Sequence, residues 1–315
     1  MNKLKYINLI ILFLLVFSSS SQAGEEHGGT SAASFLKIGI GAKATGMGQT
    51  HCAVADDSTA LYWNPAGLVL LKRNEMSYMH NLWFGEITHG FLGYAHPLKN
   101  LSLGVGIDYL TIGEIEETTE LEPRGTGKKF RLEEDVAFFV SASKRIRENL
   151  SLGMNLKYIL QEVAGERAMG CGTDLGLFYK LHLLNLGLVI QNLGPGMRFT
   201  EKEFALPFNI KTGLAYKGIK NTILALDVNL PRDNRASYHL GVEYRIGDLL
   251  AMRAGYNSRI TENKLGRFNL GEGLSTGFGI NFKATQLDVA YIHYGDLGDT
   301  YQVSLLTRFG KAEGR

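Results

Sequence analysis

Leu150-Ser151-Leu152-Gly153-Met154-Asn155-Leu156-Lys157-Tyr158-Ile159-Leu160 is the stretch that decides the fold. Leu150, Leu152, Met154, Leu156, Tyr158 and Leu160 fall on one side of an extended chain. Ser151, Gly153, Asn155 and Lys157 fall on the other. A period of two belongs to a strand with one apolar and one polar face. Residues 101–109 and 238–246 repeat it, with glycines and charges opposite Leu, Val, Ile and Tyr.

Outward from this stretch, about fourteen segments of about ten residues run from residue 75 to residue 309, long enough to cross a bilayer as tilted strands. Their connections alternate in length. Residues 97–100, 180–183 and 247–248 make short links, whereas 113–133, 163–170, 194–205 and 261–272 make longer ones. A soluble sandwich has no reason to sort its loops this way, but an outer-membrane barrel does. The expected fold is therefore all-β: a transmembrane antiparallel β-barrel of about 14 strands with an N-terminal lumenal hatch containing a short helix. Several of the 38 glycines lie on polar faces, where a plug can approach closely. Tyr94, Tyr109, Tyr158, Tyr179, Tyr216, Tyr256 and Tyr294 recur near strand ends as an interfacial girdle would. The last strand carries Tyr301 and Phe309 on one face, resembling the signal read by the barrel-insertion machinery.

The start of the chain fixes the compartment. Lys3 and Lys5 precede an apolar run over 6–17, and Ser21-Gln22-Ala23 offers a cleavage site, so 1–23 reads as a signal peptide. Two of the 33 Lys and Arg lie there, so the exported chain carries 31 basic and 31 acidic residues. That balance gives no electrostatic footprint for a nucleic acid. Cys52 and Cys171 are the only cysteines. A single bridge between them is open to an oxidising compartment, but two unrelated buried thiols fit their separate regions better.

Motifs for chemistry are sparse. Gly273-Leu274-Ser275-Thr276-Gly277 matches G-x-S-x-G, yet it opens an amphipathic strand with no helix after it, so no catalytic serine is expected. Residues 41–48 resemble a phosphate loop but place Met47 where a lysine is required. The eight histidines show no metal-ligand spacing, so neither a metal nor a cofactor is expected. The polar strand faces carry Asp108, Lys157, Asp174, Lys211, Asp227, Glu243, Arg245, Arg253, Asp288 and Arg308. Both signs occur, which suits structural ion pairs better than a selectivity ring. Residues 113–133 run from acidic to basic and read as a solvated outer loop that could also receive a partner.

Residues 35–71 fit no strand pattern. Ala53-Val54-Ala55 reads as extended, Asp56-Asp57-Ser58 as cap chemistry, and the following residues as a helix of about two turns ended by Asn64-Pro65, with Gly67 allowing a turn. Phe35-Leu36-Lys37-Ile38-Gly39, Gly41-Ala42-Lys43-Ala44-Thr45-Gly46-Met47-Gly48, Ala53-Val54-Ala55-Asp56-Asp57 and Ala60-Leu61-Tyr62-Trp63-Asn64-Pro65-Ala66-Gly67-Leu68 occur in order. Together they closely resemble the amino-terminal signature of the PorV/PorQ outer-membrane family. The Asn-Pro-Ala element is also similar to the hatch of the FadL family of long-chain fatty-acid transporters. Gln49-Thr50-His51-Cys52 departs from the signature, where small or apolar residues are expected.

The resemblance implies a lumenal hatch built on Asp56, Asp57, Tyr62, Trp63, Asn64, Pro65, Ala66 and Gly67. The expected division is signal peptide 1–23, flexible mature N-terminus 24–34, hatch 35–71, barrel 72–310 and tail 311–315. It places the protein in the outer membrane of a Gram-negative bacterium with both termini periplasmic. The implied function is non-enzymatic: transport or binding of hydrophobic small molecules, with outer-membrane lipid and the insertion machinery as partners. The alternative is a type IX secretion accessory that binds exported protein clients at its extracellular loops.

Overall fold

The computed structural model describes residues 30–84, 87–258 and 273–312. The signal peptide 1–23, residues 24–29, the first hairpin tip at 85–86, the loop expected at 261–272 and residues 313–315 of the tail lie outside the described residues.

The strands in chain order are β1 (Asn74–Leu82), β2 (Thr88–Pro97), β3 (Leu101–Glu116), β4 (Lys129–Arg147), β5 (Leu150–Val163), β6 (Glu166–Leu181) and β7 (Leu184–Leu193). A short hairpin follows, β8 (Met197–Phe199) and β9 (Lys202–Phe204). Then come β10 (Asn209–Ile219), β11 (Thr222–Pro231), β12 (Ser237–Ile246), β13 (Leu250–Asn257), β14 (Leu274–Phe282), β15 (Thr285–His293) and β16 (Asp299–Phe309). All but β8 and β9 form one closed antiparallel barrel of fourteen strands. β1 meets β16, with Asn74 opposite Phe309 and Leu82 opposite Tyr301.

The alternation places every second side chain outside. Val105, Val140 and Leu156 are 51%, 59% and 50% exposed, levels a water-facing strand rarely shows for so many large apolar residues. This apolar outer belt matches hydrocarbon, and polar partners such as Asn155 and Lys157 are buried inside. Tyr301 and Phe309 lie on that outer face. Cys171 also faces outward, opposite Tyr158, whereas Cys52 is buried inside the barrel. Both thiols are free, so the expectation that both are buried fails for Cys171.

The loops differ from the sequence reading in three places. Strands β3 and β4 continue into 113–133, with Glu114 opposite Arg131 and Glu116 opposite Lys129. An acidic run followed by a basic run becomes cross-strand charge pairs once the chain doubles back. Residues 163–170 contract to a tight Ala164-Gly165 turn with both φ positive, and β6 begins at Glu166. Residues 194–205 contain β8 and β9.

Inside the barrel the amino-terminal segment forms a 3-10 turn (Ser34–Lys37), α1 (Ala42–Gly46), α2 (Ala60–Trp63) and a second 3-10 helix (Pro65–Leu70). Residues 30–33 are tied to the long-loop end: the Ala32 amide donates to the Ala205 carbonyl (3.0 Å), and the Ala33 amide to Gln161 Oε1 (2.8 Å). From there the segment descends through the lumen to Leu71, beside the start of β1 at the short-turn end.

Local chemistry departs from expectation here. Ala53-Val54-Ala55 is a turn, closed by the Ala55 amide on the His51 carbonyl, and not an extended piece. α2 lasts one turn because Pro65 excludes helical backbone at Asn64, whose φ and ψ are −162° and 99°. The Asn64 side chain then caps the next helix by accepting from the Ala66 amide. Gly67 serves close approach and not a turn: a Cβ there would lie 2.4 Å from the Ala55 carbonyl oxygen.

Candidate functional site

The plug is joined to the wall by polar groups that β-strands hold at fixed register. Asp227 on β11 accepts the backbone amides of His51 (2.9 Å) and Cys52 (2.8 Å) at one carboxylate oxygen. Asn64 donates to the Cys52 carbonyl (2.9 Å) and to the Leu177 carbonyl of β6 (3.1 Å). Ser143 donates to the Ala66 carbonyl (3.1 Å). Tyr62 donates to the Leu36 carbonyl (3.0 Å) and Trp63 to the Ile40 carbonyl (2.8 Å), tying the two halves of the plug together. The Lys211 ammonium lies 4.2 Å from the Trp63 ring centroid, a cation–π contact across the seam.

Facing glycines let backbone meet backbone. Gly241 on β12 pairs with Gly255 on β13, and a Cβ on Gly255 would come within 1.9 Å of the Gly48 nitrogen. Gly153 pairs with Gly176, and Pro65-Ala66 rests on them.

Most of the charges assigned to the lumen are buried, and Arg245 and Arg308 are the partly exposed ones. Lys157 pairs with Asp174 (2.8 Å), Arg253 bridges Glu243 and Asp288 (2.7 Å each), and Arg308 reaches Glu75 (3.0 Å). Asp108 stands apart from these and meets His89 (2.7 Å). Arg245 lies at the short-turn mouth, where it is half-exposed and bonded to Glu243. Neutral amides do as much as the charges. Asn155 donates to the Leu61 carbonyl and Gln191 to the Tyr62 carbonyl, both on polar strand faces where the sequence reading weighed charges alone.

Within the plug, Lys43 holds Asp56 (2.5 Å) and lies 3.7 Å from Asp57. Burial pushes the Asp57 carboxyl up, but the His51 ring and the Lys43 ammonium beside it hold it below the usual range. Asp56 is likewise pushed up by burial and held low by Lys43 and Lys217. His51, Asp56 and Asp57 each bring one possible metal-ligand atom within 4.8 Å of the others. Ser275, the serine of G-x-S-x-G, lies within β14 and accepts the Gly48 amide (3.0 Å), a structural bond.

Three zones follow along the lumen. At the long-loop end Phe35, Leu36, Leu110, Phe139, Ile159 and Met197 form an apolar cluster. Beside it opens a cavity of about 600 Å³ lined by Phe35, Ile38, Trp83, Ile87, Leu110 and Ile112 among others. Along the plug seam, two cavities of about 40 and 20 Å³ have room for about one water each. At the short-turn end a polar cavity of about 410 Å³ is lined by Lys43, Asp56, Arg245, Arg253, Gln286 and Arg308 among others. On the wall, Glu166–Gly172 of β6 extend past β7 without a ladder partner on that side among the described residues; β8 packs against this edge, and Thr200 beside it donates to Glu166 (2.9 Å).

The closed fourteen-strand barrel is similar in fold to several solved channels and transporters. CymD, a monoaromatic hydrocarbon channel, is similar over 87% of this chain and 98% of its own, with a TM-score of 0.60 and 16% identity. The Pseudomonas putida toluene transporter TodX is similar over 85% and 96%, with 0.61 and 16%. A Pseudomonas aeruginosa FadL homologue covers 87% and 99%, with 0.58 and 12%. At these identities the likeness is one of fold.

The chain belongs to the Uncharacterised protein family (UPF0164), whose model matches residues 16–176, the plug and the strands through most of β6. A UPF0164 protein of Treponema pallidum (strain Nichols) is 24% identical over 161 residues, 48% of this chain. The match spans 41% of that relative's length.

Proposed function

We propose that this protein binds hydrophobic small molecules at the outer membrane and passes them inward through its plugged lumen, without catalysis. The observation that carries this reading is the apolar cavity of about 600 Å³ above the plug, within the size range of small-molecule sites. Support also comes from the likeness in fold to channels named for toluene and monoaromatic hydrocarbons. The half of β6 without a ladder partner, beside the apolar cluster and covered by the β8–β9 hairpin, is where such molecules would enter through the wall. The protein sits in the outer membrane of a Gram-negative bacterium with its short turns periplasmic, which puts the end of β16 in the periplasm. On that orientation the Ala32 end of the plug lies toward the cell exterior.

The finer assignment to the PorV/PorQ type brings a second reading, a type IX secretion accessory binding exported clients. The long β3–β4 hairpin favours it, because Leu121 at its tip is 93% exposed and ready for a protein partner. Native mass spectrometry of the purified barrel separates the two. Co-purified lipid or apolar small molecule supports transport, and a stoichiometric protein partner supports secretion. A barrel that carries neither, and binds no apolar probe on titration, contradicts the transport reading.

A further inference from the structure

His51 is an unexplained group. It is fully buried, and among the described residues neither ring nitrogen has a hydrogen-bond partner. Leaving a buried polar atom unmade costs about 1–3 kcal/mol, and such an atom calls for an explanation of its own. The ring is not adrift. Its backbone amide is fixed by Asp227 (2.9 Å), and its ring packs against Trp63 in a T-shaped contact with centroids 6.1 Å apart. Held so, Nε2 points at Asp57 Oδ2, 3.8 Å away.

Asp57 is oriented to match. Its Oδ1 accepts both the Thr59 amide (2.9 Å) and the Thr59 hydroxyl (2.5 Å), which turns Oδ2 toward His51 and Lys43. Asp56 completes the cluster from the adjacent position. One imidazole nitrogen and two carboxylate oxygens form a donor set suited to Zn²⁺ and similar divalent ions, with water filling the remaining position. The Thr59 bonds supply the outer support that orients a ligating carboxylate.

We propose that His51, Asp56 and Asp57 form a binding site for a divalent transition-metal ion inside the plug. The Lys43 ammonium holds the cation's place among the carboxylates and is the competitor. It also borders the polar cavity of about 410 Å³ at the short-turn end, which gives Lys43 room to swing aside and the ion a route of approach. Bound metal joins the turn at 51–52 to the cap at 56–57 and so staples the plug beneath α2. The sequence hides this site, because positions 51, 56 and 57 match no helical ligand spacing and meet only through the turn at 52–55.

The test uses the full-length barrel in detergent, stripped by chelator and titrated with Zn²⁺, in a Cys171→Ser background that removes the exposed thiol. One equivalent is expected, with His51→Ala weakening binding at least about tenfold and Lys43→Met tightening it about tenfold. Substitution by Co²⁺ is expected to give a spectrum without thiolate charge transfer, excluding Cys52. Wild-type binding equal to that of His51→Ala overturns the proposal, as does the absence of a stoichiometric Zn²⁺ site. Should His51→Ala lose the heat-modifiable band of a folded barrel, Lys43→Met decides: unchanged or weaker affinity overturns the site.

Discussion

Asp227 accepts the Cys52 amide at 2.8 Å, so a carboxylate on the barrel wall holds the backbone of the plug. The same oxygen takes the His51 amide, and both residues are almost fully buried. Plug and wall are one packed unit at this point. Asp227→Ala strands two buried N–H groups, each costing about 1–3 kcal/mol, and is expected to lower the unfolding temperature and raise small-ion leakage. Asp227→Asn keeps a carbonyl acceptor and is expected to recover most of both. Thermal melts and planar-bilayer conductance of the two variants check this.

The Gly241–Gly255 pair makes a second, steric prediction. Gly255→Val drives carbon into the Gly48 backbone, where even a Cβ lies at 1.9 Å. The expected outcome is a displaced plug with raised conductance, or loss of the heat-modifiable barrel. Gly172→Ala meets nothing nearer than the Leu206 side chain at 3.3 Å and is expected to be tolerated. Equal behaviour of the two variants would remove the glycine seam from the explanation.

Asp56 titrates below its ordinary value of 3.8 because Lys43 stands beside it, and Asp57 does so because the His51 ring and Lys43 stand beside it. A depressed carboxyl contributes stability that is complete above its unfolded pKa and is lost as pH falls through the folded one. Acidification from pH 7 to about 4.5 therefore leaves the Lys43 contacts to Asp56 and Asp57 intact. Conductance of the intact chain and of Lys43→Met recorded at both ends of the range is the check, with an acid-induced rise that Lys43→Met abolishes counting against an ion cluster that stays paired.

The vestibule gives a prediction tied to cargo. Leu110 is buried in the apolar cluster and also lines the large cavity. Leu110→Asp places a carboxylate there and is expected to weaken binding of an apolar fluorescent probe at least about tenfold, since an unpaired polar group in an apolar site costs more than 1 kcal/mol. Leu156→Asn, on the lipid face, is the control and is expected to leave probe affinity unchanged.

The strands were legible in the sequence because a period of two has one physical meaning, and a slip of one residue would turn Leu152 and Leu156 inward. The plug was legible as an exception but not as a path. Its conformation is set by partners far away in the chain, such as Asp227 for His51 and Gly176 for Asn64, which no local pattern reports. The charge order over 113–133 did carry the hairpin, since acids followed by bases pair when a strand reverses. Asn155, Gln161 and Gln191 were missed for a simpler reason. Neutral amides satisfy buried carbonyls and amides as well as charges do, and their placement on polar faces was the available signal.

Planar-bilayer recording of the barrel lacking residues 35–71 tests the plugged lumen most directly. The expected result is a foldable, heat-modifiable barrel with small-ion conductance well above that of the intact chain. Unchanged conductance from a folded deletion variant would contradict a plug that closes the lumen.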